Sequence, residues 1–239
     1  MVSAHSIRRF QNDGACSLVF QATKDSVSAL IANAKAEQPI NDPARVAKIH
    51  QCLQVQLSEM FFTKRLLLVE GPEDVAYLMT YLHLLDKYDD YREEGCHIVP
   101  ANGKDSLLQP IAIAKCLNIP VFVVFDSDSD KKEPYHEKTN SAIQSIMGQT
   151  TPVPYCVDNI WGKDYVMWKT RIADVVKEEI GEGDWDRCRT DVSNKYGQAK
   201  GLMKNSLFIA DCLNDAWDKG KKSESLERLC NDMLDWCKN

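Results

Sequence analysis

Short apolar runs alternate with longer amphipathic stretches through the middle of the chain. Apolar runs occupy 66–69 and 120–125, and a shorter run of the same kind lies at 96–99. Runs of this length without polar alternation are typical of strands buried on both faces. The stretches between and after them predict helices at 72–89, 104–117, 136–147 and 164–180, with one more strand at 153–158. Strands that alternate with helices indicate βαβ units, so we predict an α/β fold with a mainly parallel sheet.

Both ends of the chain depart from this alternation. Residues 16–22 predict a strand without an obvious local partner, and the next forty residues predict helices, most clearly from Val46 to Met60. From Asp184 onward no strand pattern occurs, and glycines separate three predicted helices at 184–196, 203–219 and 223–237. We therefore expect three parts: an N-terminal strand with linking helices at 1–61, an α/β domain at 62–182, and an α-helical accessory domain at 183–239.

Composition narrows the class of protein. Hydrophobic residues make up 44% and charged residues 27%, which is ordinary for a soluble globular protein. No apolar run reaches the length of a membrane span, and the N-terminus lacks a signal-peptide pattern. The nine cysteines are scattered without a CxxC pair, so we expect neither a disulfide framework nor a zinc site, and we expect a cytoplasmic location.

Two acidic motifs follow predicted strands. Glu70 ends the run at 66–69, and Asp74 falls in the first turn of the next helix. Asp126, Asp128 and Asp130 leave the end of the strand at 120–125. Ligands of α/β proteins bind at the carboxyl ends of the strands, and crowded carboxylates repel one another unless cations lie between them. Oxygen-only ligands favour Mg²⁺ or Mn²⁺.

Other interpretations of these motifs stay open. Glu70 and Asp74 could be a strand-end residue and a helix-dipole partner, and the later motif could be a solvated acidic turn. The spacing of Asp126, Asp128 and Asp130 with Glu137 also fits a calcium loop, but Lys131 occupies the position where that loop requires glycine. A phosphatase of the haloacid-dehalogenase type, with Asp126 as its nucleophile, is a further alternative. The net charge of −6 is unusual for a DNA-binding surface, but an acidic metal site accounts for part of it.

Together, the Glu-Gly turn and the Asp-x-Asp motif resemble the Toprim domain of topoisomerases, primases and some nucleases. The resemblance covers about 66–180 and implies a Rossmann-like fold. Further segments resemble the OLD (overcoming lysogenization defect) family of nucleases. These are Ser58-Glu59-Met60-Phe61-Phe62, Gly71 to Tyr77, Asn102-Gly103-Lys104, His136-Glu137-Lys138 with Asn140, Tyr196-Gly197, Gly201-Leu202 and Lys204-Asn205.

The OLD family joins an ABC-type ATPase to a C-terminal Toprim nuclease. This sequence has no G-x-x-x-x-G-K-[ST] motif, so we expect it to be the nuclease region, with residues 1–23 bordering an ATPase domain that it lacks. The resemblance implies DNA as a partner, beside the ATPase of a longer protein. No membrane partner is expected, and a homodimer is left open.

The resemblance also implies a site. Glu70, Asp74, Asp126 and Asp128 would hold two Mg²⁺ or Mn²⁺ ions, and Ca²⁺ could bind without supporting turnover. A third acidic motif would lie at Asp174 or at Glu178 and Glu179, which could equally form a solvated helix face. The predicted catalytic residues are Glu70, Asp126 and Lys204, although Lys204 could be an ordinary exposed lysine. His136 is expected to be structural or to contact phosphate.

The predicted function is therefore metal-dependent endonucleolytic hydrolysis of DNA phosphodiester bonds. The alternatives are the phosphatase described above and a non-catalytic, metal-binding Toprim module that recruits partners.

Overall fold

The computed structural model describes residues 6–12, 14, 16–39, 47, 55–131, 133–198 and 200–238. Its strands are β1 (Ser6–Asn12), β2 (Ser17–Thr23), β3 (Arg65–Val69), β4 (Cys96–Pro100), β5 (Val121–Asp126), β6 (Ile160–Trp161) and β7 (Tyr165–Trp168). Its helices are α1 (Lys24–Ala34), α2 (Val55–Ser58), α3 (Pro72–Leu84), α4 (Tyr88–Glu93), α5 (Lys104–Cys116), α6 (Pro134–Ile146), α7 (Ile172–Ile180), α8 (Glu182–Lys195), α9 (Ser206–Asp218) and α10 (Glu224–Lys238). Short 3-10 turns lie at Glu59–Phe61 and Leu202–Lys204.

The centre of the fold is a five-stranded sheet in the order β4-β3-β5-β7-β6. The first four of these strands run parallel, and β6 pairs antiparallel with β7 at one edge. Because β3 and β5 are adjacent and parallel, the residues that follow them meet at the same edge of the sheet. The predicted α/β fold with a mainly parallel sheet is confirmed.

Helices cover both faces of this sheet. In β3, Leu67 and Val69 contribute to one hydrophobic cluster, whereas Leu66 and Leu68 contribute to the other. The first cluster contains residues of α3, α7, α8, α9 and α10, and the second contains residues of α1, α5 and α6. Each central strand therefore buries both of its faces, as its uninterrupted apolar run predicts.

The C-terminal helices pack in the same cluster as α3 and the sheet. The cluster therefore contains residues from both sides of the predicted boundary at 182 and 183, and the three-part division stays a prediction. None of the described helices combines the length and apolarity that a membrane span requires.

Four predictions about individual elements were wrong. Residues 16–22 do have a local partner, because β1 and β2 form an antiparallel hairpin. The helix at 72–89 is interrupted between α3 and α4. Residues 153–158 are loop, and Tyr165–Trp168 is a strand instead of the start of a helix. The helix predicted from Val46 to Met60 falls largely outside the described residues.

Candidate active site

Three carboxylates meet at the carboxyl edge of the sheet. Glu70 follows β3 directly, and Asp126 is the last residue of the neighbouring β5. The backbone N–H of Asp126 donates a hydrogen bond to Glu70 Oε2 at 3.3 Å. Asp74 lies in the first turn of α3, and all three residues line a cavity of about 220 Å³ together with Lys204. The structure thus brings together four residues that the sequence predicted for the site.

The start of α3 fixes the position of Asp74. Gly71 is the N-cap residue and Pro72 occupies the first helical turn, where its missing N–H costs nothing. Asp74 Oδ2 accepts a hydrogen bond from the backbone N–H of Gly71 at 2.7 Å. This contact is the reverse half of a capping box, and the helix dipole favours the carboxylate there. The turn between β3 and α3 therefore holds Asp74 beside Glu70.

Burial and neighbouring negative charges raise the pKa values of these three carboxyl groups. Burial raises the pKa of Asp74 to about 7, with added repulsion from Glu70 and Glu73. Burial raises the pKa of Asp126 well above its ordinary value, and the charges of Glu70 and Asp74 add to the shift. Burial also raises the pKa of Glu70, against the opposing charge of Lys104. Three carboxyl groups that are buried or partly buried in one cavity share too little positive charge to ionise together.

The donor chemistry of this group fits a hard divalent cation such as Mg²⁺ or Mn²⁺, which prefers oxygen ligands. The arrangement does not yet form a ligand cage: among the described residues, no group of three or more His, Cys, Asp or Glu side chains is placed to hold a metal ion as it stands. A cation at Glu70, Asp74 and Asp126 would therefore require their side chains to move together, and it would offset the burial and the repulsion that raise their pKa values.

In chelator, the free energy of unfolding should fall as the pH rises from about 4 to about 7. Because the Asp74 pKa is raised from 3.8 to about 7, the folded protein keeps a proton that the unfolded chain has already released. Asp74→Asn removes this titration and should flatten the slope. Urea unfolding of both proteins across this pH range measures the difference, and equal slopes would contradict the buried position of Asp74.

Asp128 has a different environment from the other three carboxylates. Its Oδ2 forms a buried ion pair with Lys104, and its Oδ1 accepts from Lys131 at 2.5 Å. His136 Nδ1 lies 3.3 Å from Asp128 Oδ2 and 3.3 Å from Lys104 Nζ. Burial alone would raise the Asp128 pKa, but the hydrogen bonds from Lys104 and Lys131 outweigh it and lower the pKa. Asp128 would have to release a lysine before it could hold a metal ion.

Lys104 is the site residue to which the sequence analysis assigned no role. It is the first residue of α5, after Gly103 with φ 121°, and only 3% of its side chain is exposed. A lysine directly after a strand and a glycine turn is a weak signal by itself. The structure gives it significance, because a lysine buried to this degree requires a charged partner.

Lys104→Met should destabilise the protein by about 3 kcal/mol or more, because it leaves the buried Asp128 carboxylate without its closest cation. Lys138→Met is the matched control: Lys138 pairs with Glu37 at 3.7 Å on the surface, so its loss should cost less than about 1 kcal/mol. Urea unfolding measures both, and adding Asp128→Asn to Lys104→Met should restore most of the loss. Equal effects of the two lysine replacements would contradict this assignment.

The candidates for the third acidic motif are separated in the structure. Asp174 lines a second cavity with Asp74 and Asp126, and its carboxylate accepts two hydrogen bonds from Arg171, at 3.0 and 3.1 Å. The Glu179 carboxylate instead accepts from the N–H of Ser225 at 3.1 Å, and from the hydroxyl groups of Ser225 and Ser223. Glu179 therefore caps the start of α10, and its place among the metal ligands stays a prediction.

Lys204 reaches the site from the C-terminal helices. It ends a 3-10 turn that follows Gly201, whose φ of 82° favours glycine, and that precedes the N-cap residue Asn205 of α9. Its Nζ lies 2.9 Å from Glu73 Oε1, and its side chain is 78% exposed. Lys204 thus stands at the mouth of the cavity that Glu70, Asp74 and Asp126 line.

The comparison with protein families agrees with this architecture. Residues 61–128 match the family model of the overcoming lysogenization defect protein-like TOPRIM domain. The chain therefore contains a TOPRIM domain of the OLD-like type, and that part of the sequence prediction is confirmed. The match spans β3 to β5 and ends at Asp128, so it includes both acidic motifs. A domain of this kind suggests a metal-dependent, nuclease-like function.

Solved structures with a similar fold are C-terminal regions of OLD proteins. The region from Xanthomonas campestris pv. campestris, phased with iodine, has a TM-score of 0.48 and 10% identity, over 74% of this chain and 97% of that one. The region from Burkholderia pseudomallei has a TM-score of 0.47 and 14% identity, over 74% of this chain and 98% of that one. No curated protein matches the sequence.

Proposed function

We propose that this chain is an endonuclease that hydrolyses DNA phosphodiester bonds with Mg²⁺ or Mn²⁺. One observation carries the proposal: Glu70, Asp74 and Asp126, from three different elements, converge on one cavity at the carboxyl edge of a parallel sheet. Such an edge is where α/β proteins bind ligands. The match of 61–128 to an OLD-like TOPRIM domain supports a phosphodiester substrate over a phosphomonoester.

Glu70, Asp74 and Asp126 would hold the first cation, and a second cation at Asp128 would replace the ammonium groups of Lys104 and Lys131. Bound divalent cations supply Lewis acidity toward the phosphate and lower the pKa of water. The chain itself contributes the positions of Glu70 and Asp126, which two adjacent parallel strands fix. Lys204 contributes a positive charge at the mouth of the cavity, where it would stabilise the charge that develops on the phosphate.

The partners follow from the same proposal. DNA is the substrate, and the resemblance to OLD proteins supports an ATPase module in a longer protein. The free cysteines of the described residues, most of them buried, support a reducing compartment such as the cytoplasm.

Incubation with supercoiled plasmid and with a small phosphomonoester tests the proposal. We expect plasmid cleavage with Mg²⁺ or Mn²⁺, none in chelator, and no turnover of the phosphomonoester. Turnover of the phosphomonoester alone would favour the phosphatase alternative. No turnover of either substrate would favour a metal-binding module without catalysis.

A further inference from the structure

A second cavity opens beside the carboxylates, between the edge of the sheet and helices α7, α8 and α9. We call it the side cavity; its volume is about 240 Å³, and Asp74, Asp126 and Lys204 line it as well as the cavity described above. Its floor consists of buried apolar and aromatic side chains. These are Tyr77, Trp185, Phe208, Ile209 and Cys212. A group that enters the side cavity would therefore lie directly next to the proposed cleavage site.

The side cavity offers a hydroxyl group and one unpaired N–H group. Tyr77, which is 4% exposed, contributes the hydroxyl group. The unpaired N–H group is the buried Nε of Arg189, which lines the same cavity and has no partner among the described residues. More than nine in ten buried polar groups in proteins are hydrogen-bonded. An unpaired guanidinium N–H group beside an aromatic floor therefore indicates a ligand with a polar edge and apolar faces.

The rim of the side cavity carries charges of both signs. Arg171, Lys177 and Lys204 line it and place positive charge around the opening. Each has an acidic neighbour: Arg171 pairs with Asp174, Lys177 with Glu182, and Lys204 with Glu73. These pairs are partly exposed and weak, so a phosphate can compete for the cations. The rim fits a chain of phosphates that passes over the opening.

We propose that the side cavity takes one unstacked nucleobase of the DNA strand, next to the phosphate at Glu70, Asp74 and Asp126; this rests on the proposed nuclease function. A nucleobase has flat apolar faces for the aromatic floor and a polar edge for Tyr77 and Arg189. The volume lies below the roughly 300–1,000 Å³ of pockets for drug-sized ligands, which suits a single base. Insertion would fix which phosphate reaches the carboxylates.

Photocrosslinking tests this inference without cleavage. A single-stranded oligonucleotide of about 12 nucleotides, substituted with 5-iododeoxyuridine, would be bound to the whole chain with Ca²⁺, irradiated and mapped by mass spectrometry. We expect crosslinks to Tyr77, Trp185 or Phe208, which are at most 5% exposed and out of reach of a strand on the surface. Ala173→Phe, which fills the cavity from its partly buried wall, should abolish these crosslinks.

An affinity measurement complements the crosslinks. Tyr77→Phe removes only the hydroxyl and should weaken binding of the oligonucleotide about three- to tenfold. Binding of an abasic oligonucleotide of equal length should not change. Tyr88→Phe is the matched control, because its hydroxyl lies on α4 beside Arg92 and does not line the side cavity.

The outcomes separate this inference from the proposed function. Crosslinks confined to exposed residues outside the side cavity, such as Leu207 and Tyr135, in a protein that cleaves plasmid, would overturn the nucleobase site and leave the nuclease standing. Crosslinks to the floor without any cleavage in Mg²⁺ or Mn²⁺ would support the nucleobase site and overturn the nuclease.

Discussion

Asp126→Asn should reduce DNA cleavage to background while the protein stays folded. Asp126 ends the central strand β5 and faces both cavities, so its carboxylate is the one that any cation or phosphate at the site would meet. In chelator, the same change should stabilise the protein, because the raised pKa of Asp126 reflects burial and repulsion that an amide does not suffer. Each kcal/mol gained would raise the melting temperature by roughly 2–4 °C.

Asp130→Asn is the matched control for this replacement. It removes the same charge from the same acidic loop, but Asp130 is exposed and lines neither cavity. Plasmid cleavage with Mn²⁺ and melting in chelator should be measured on both variants. Cleavage by Asp126→Asn at a rate close to that of the native protein would remove Asp126 from the mechanism, and a phosphoryl group trapped on Asp126 would favour the phosphatase alternative.

Lys204→Ala should slow cleavage on the order of 100-fold or more, with a much smaller effect on DNA affinity. The phosphate gains negative charge as the reaction proceeds, and an ammonium group at the cavity mouth stabilises that state more than the bound substrate. The fold should not change, because the ion pair of Lys204 with Glu73 is exposed. Single-turnover cleavage at saturating protein measures the chemical step apart from binding.

Lys195→Ala and Lys200→Ala are the controls for Lys204. Both residues are exposed, precede Lys204 along the chain and line neither the cavity at Glu70, Asp74 and Asp126 nor the side cavity. Their loss should lower affinity at most, with a salt slope reduced by about one unit and an unchanged rate on saturating DNA. If Lys204→Ala behaved in the same way, Lys204 would contribute to DNA binding and not to the chemical step.

The sequence predicted the central strands well, because each is a short apolar run that contacts both core clusters. The sequence pattern wrongly predicted a helix at Tyr165–Trp168, which is a strand in the structure. Trp168, Ile172 and Val176 recur every four residues and join the same cluster, so the helical period of α7 extends back through the end of β7. Periodicity alone could not locate the change from strand to helix.

The loop at 153–158 shows a second limit of the pattern. Its apolar residues suggest a strand, but side chains of α6 hold its backbone. The Gln144 amide pairs with both backbone groups of Val153, at 2.7 and 3.1 Å, and Asn140 donates to the carbonyl of Pro154 at 2.8 Å. A loop secured by side chains in this way satisfies its backbone without a neighbouring strand.

In the candidate site, some residues are placed by local sequence and others by contacts that are distant in sequence. Glu70, Asp74 and Asp126 could be predicted because each is placed by the element next to it in sequence. The pairing of Asp128 with Lys104 joins residues that are 24 positions apart, and the contact of Glu179 with Ser225 spans 46 positions. Contacts of this kind depend on tertiary packing, which no local pattern encodes.

Anomalous diffraction from crystals of the protein soaked in Mn²⁺ tests the central claim most directly. We predict a manganese peak bounded by the carboxylates of Glu70, Asp74 and Asp126, and no peak there in Asp126→Asn crystals. A second peak at Asp128, with Lys104 displaced, would establish the two-ion form. Manganese confined to other carboxylates, with these three side chains unchanged, would contradict the assignment of this edge of the sheet as the metal-dependent site.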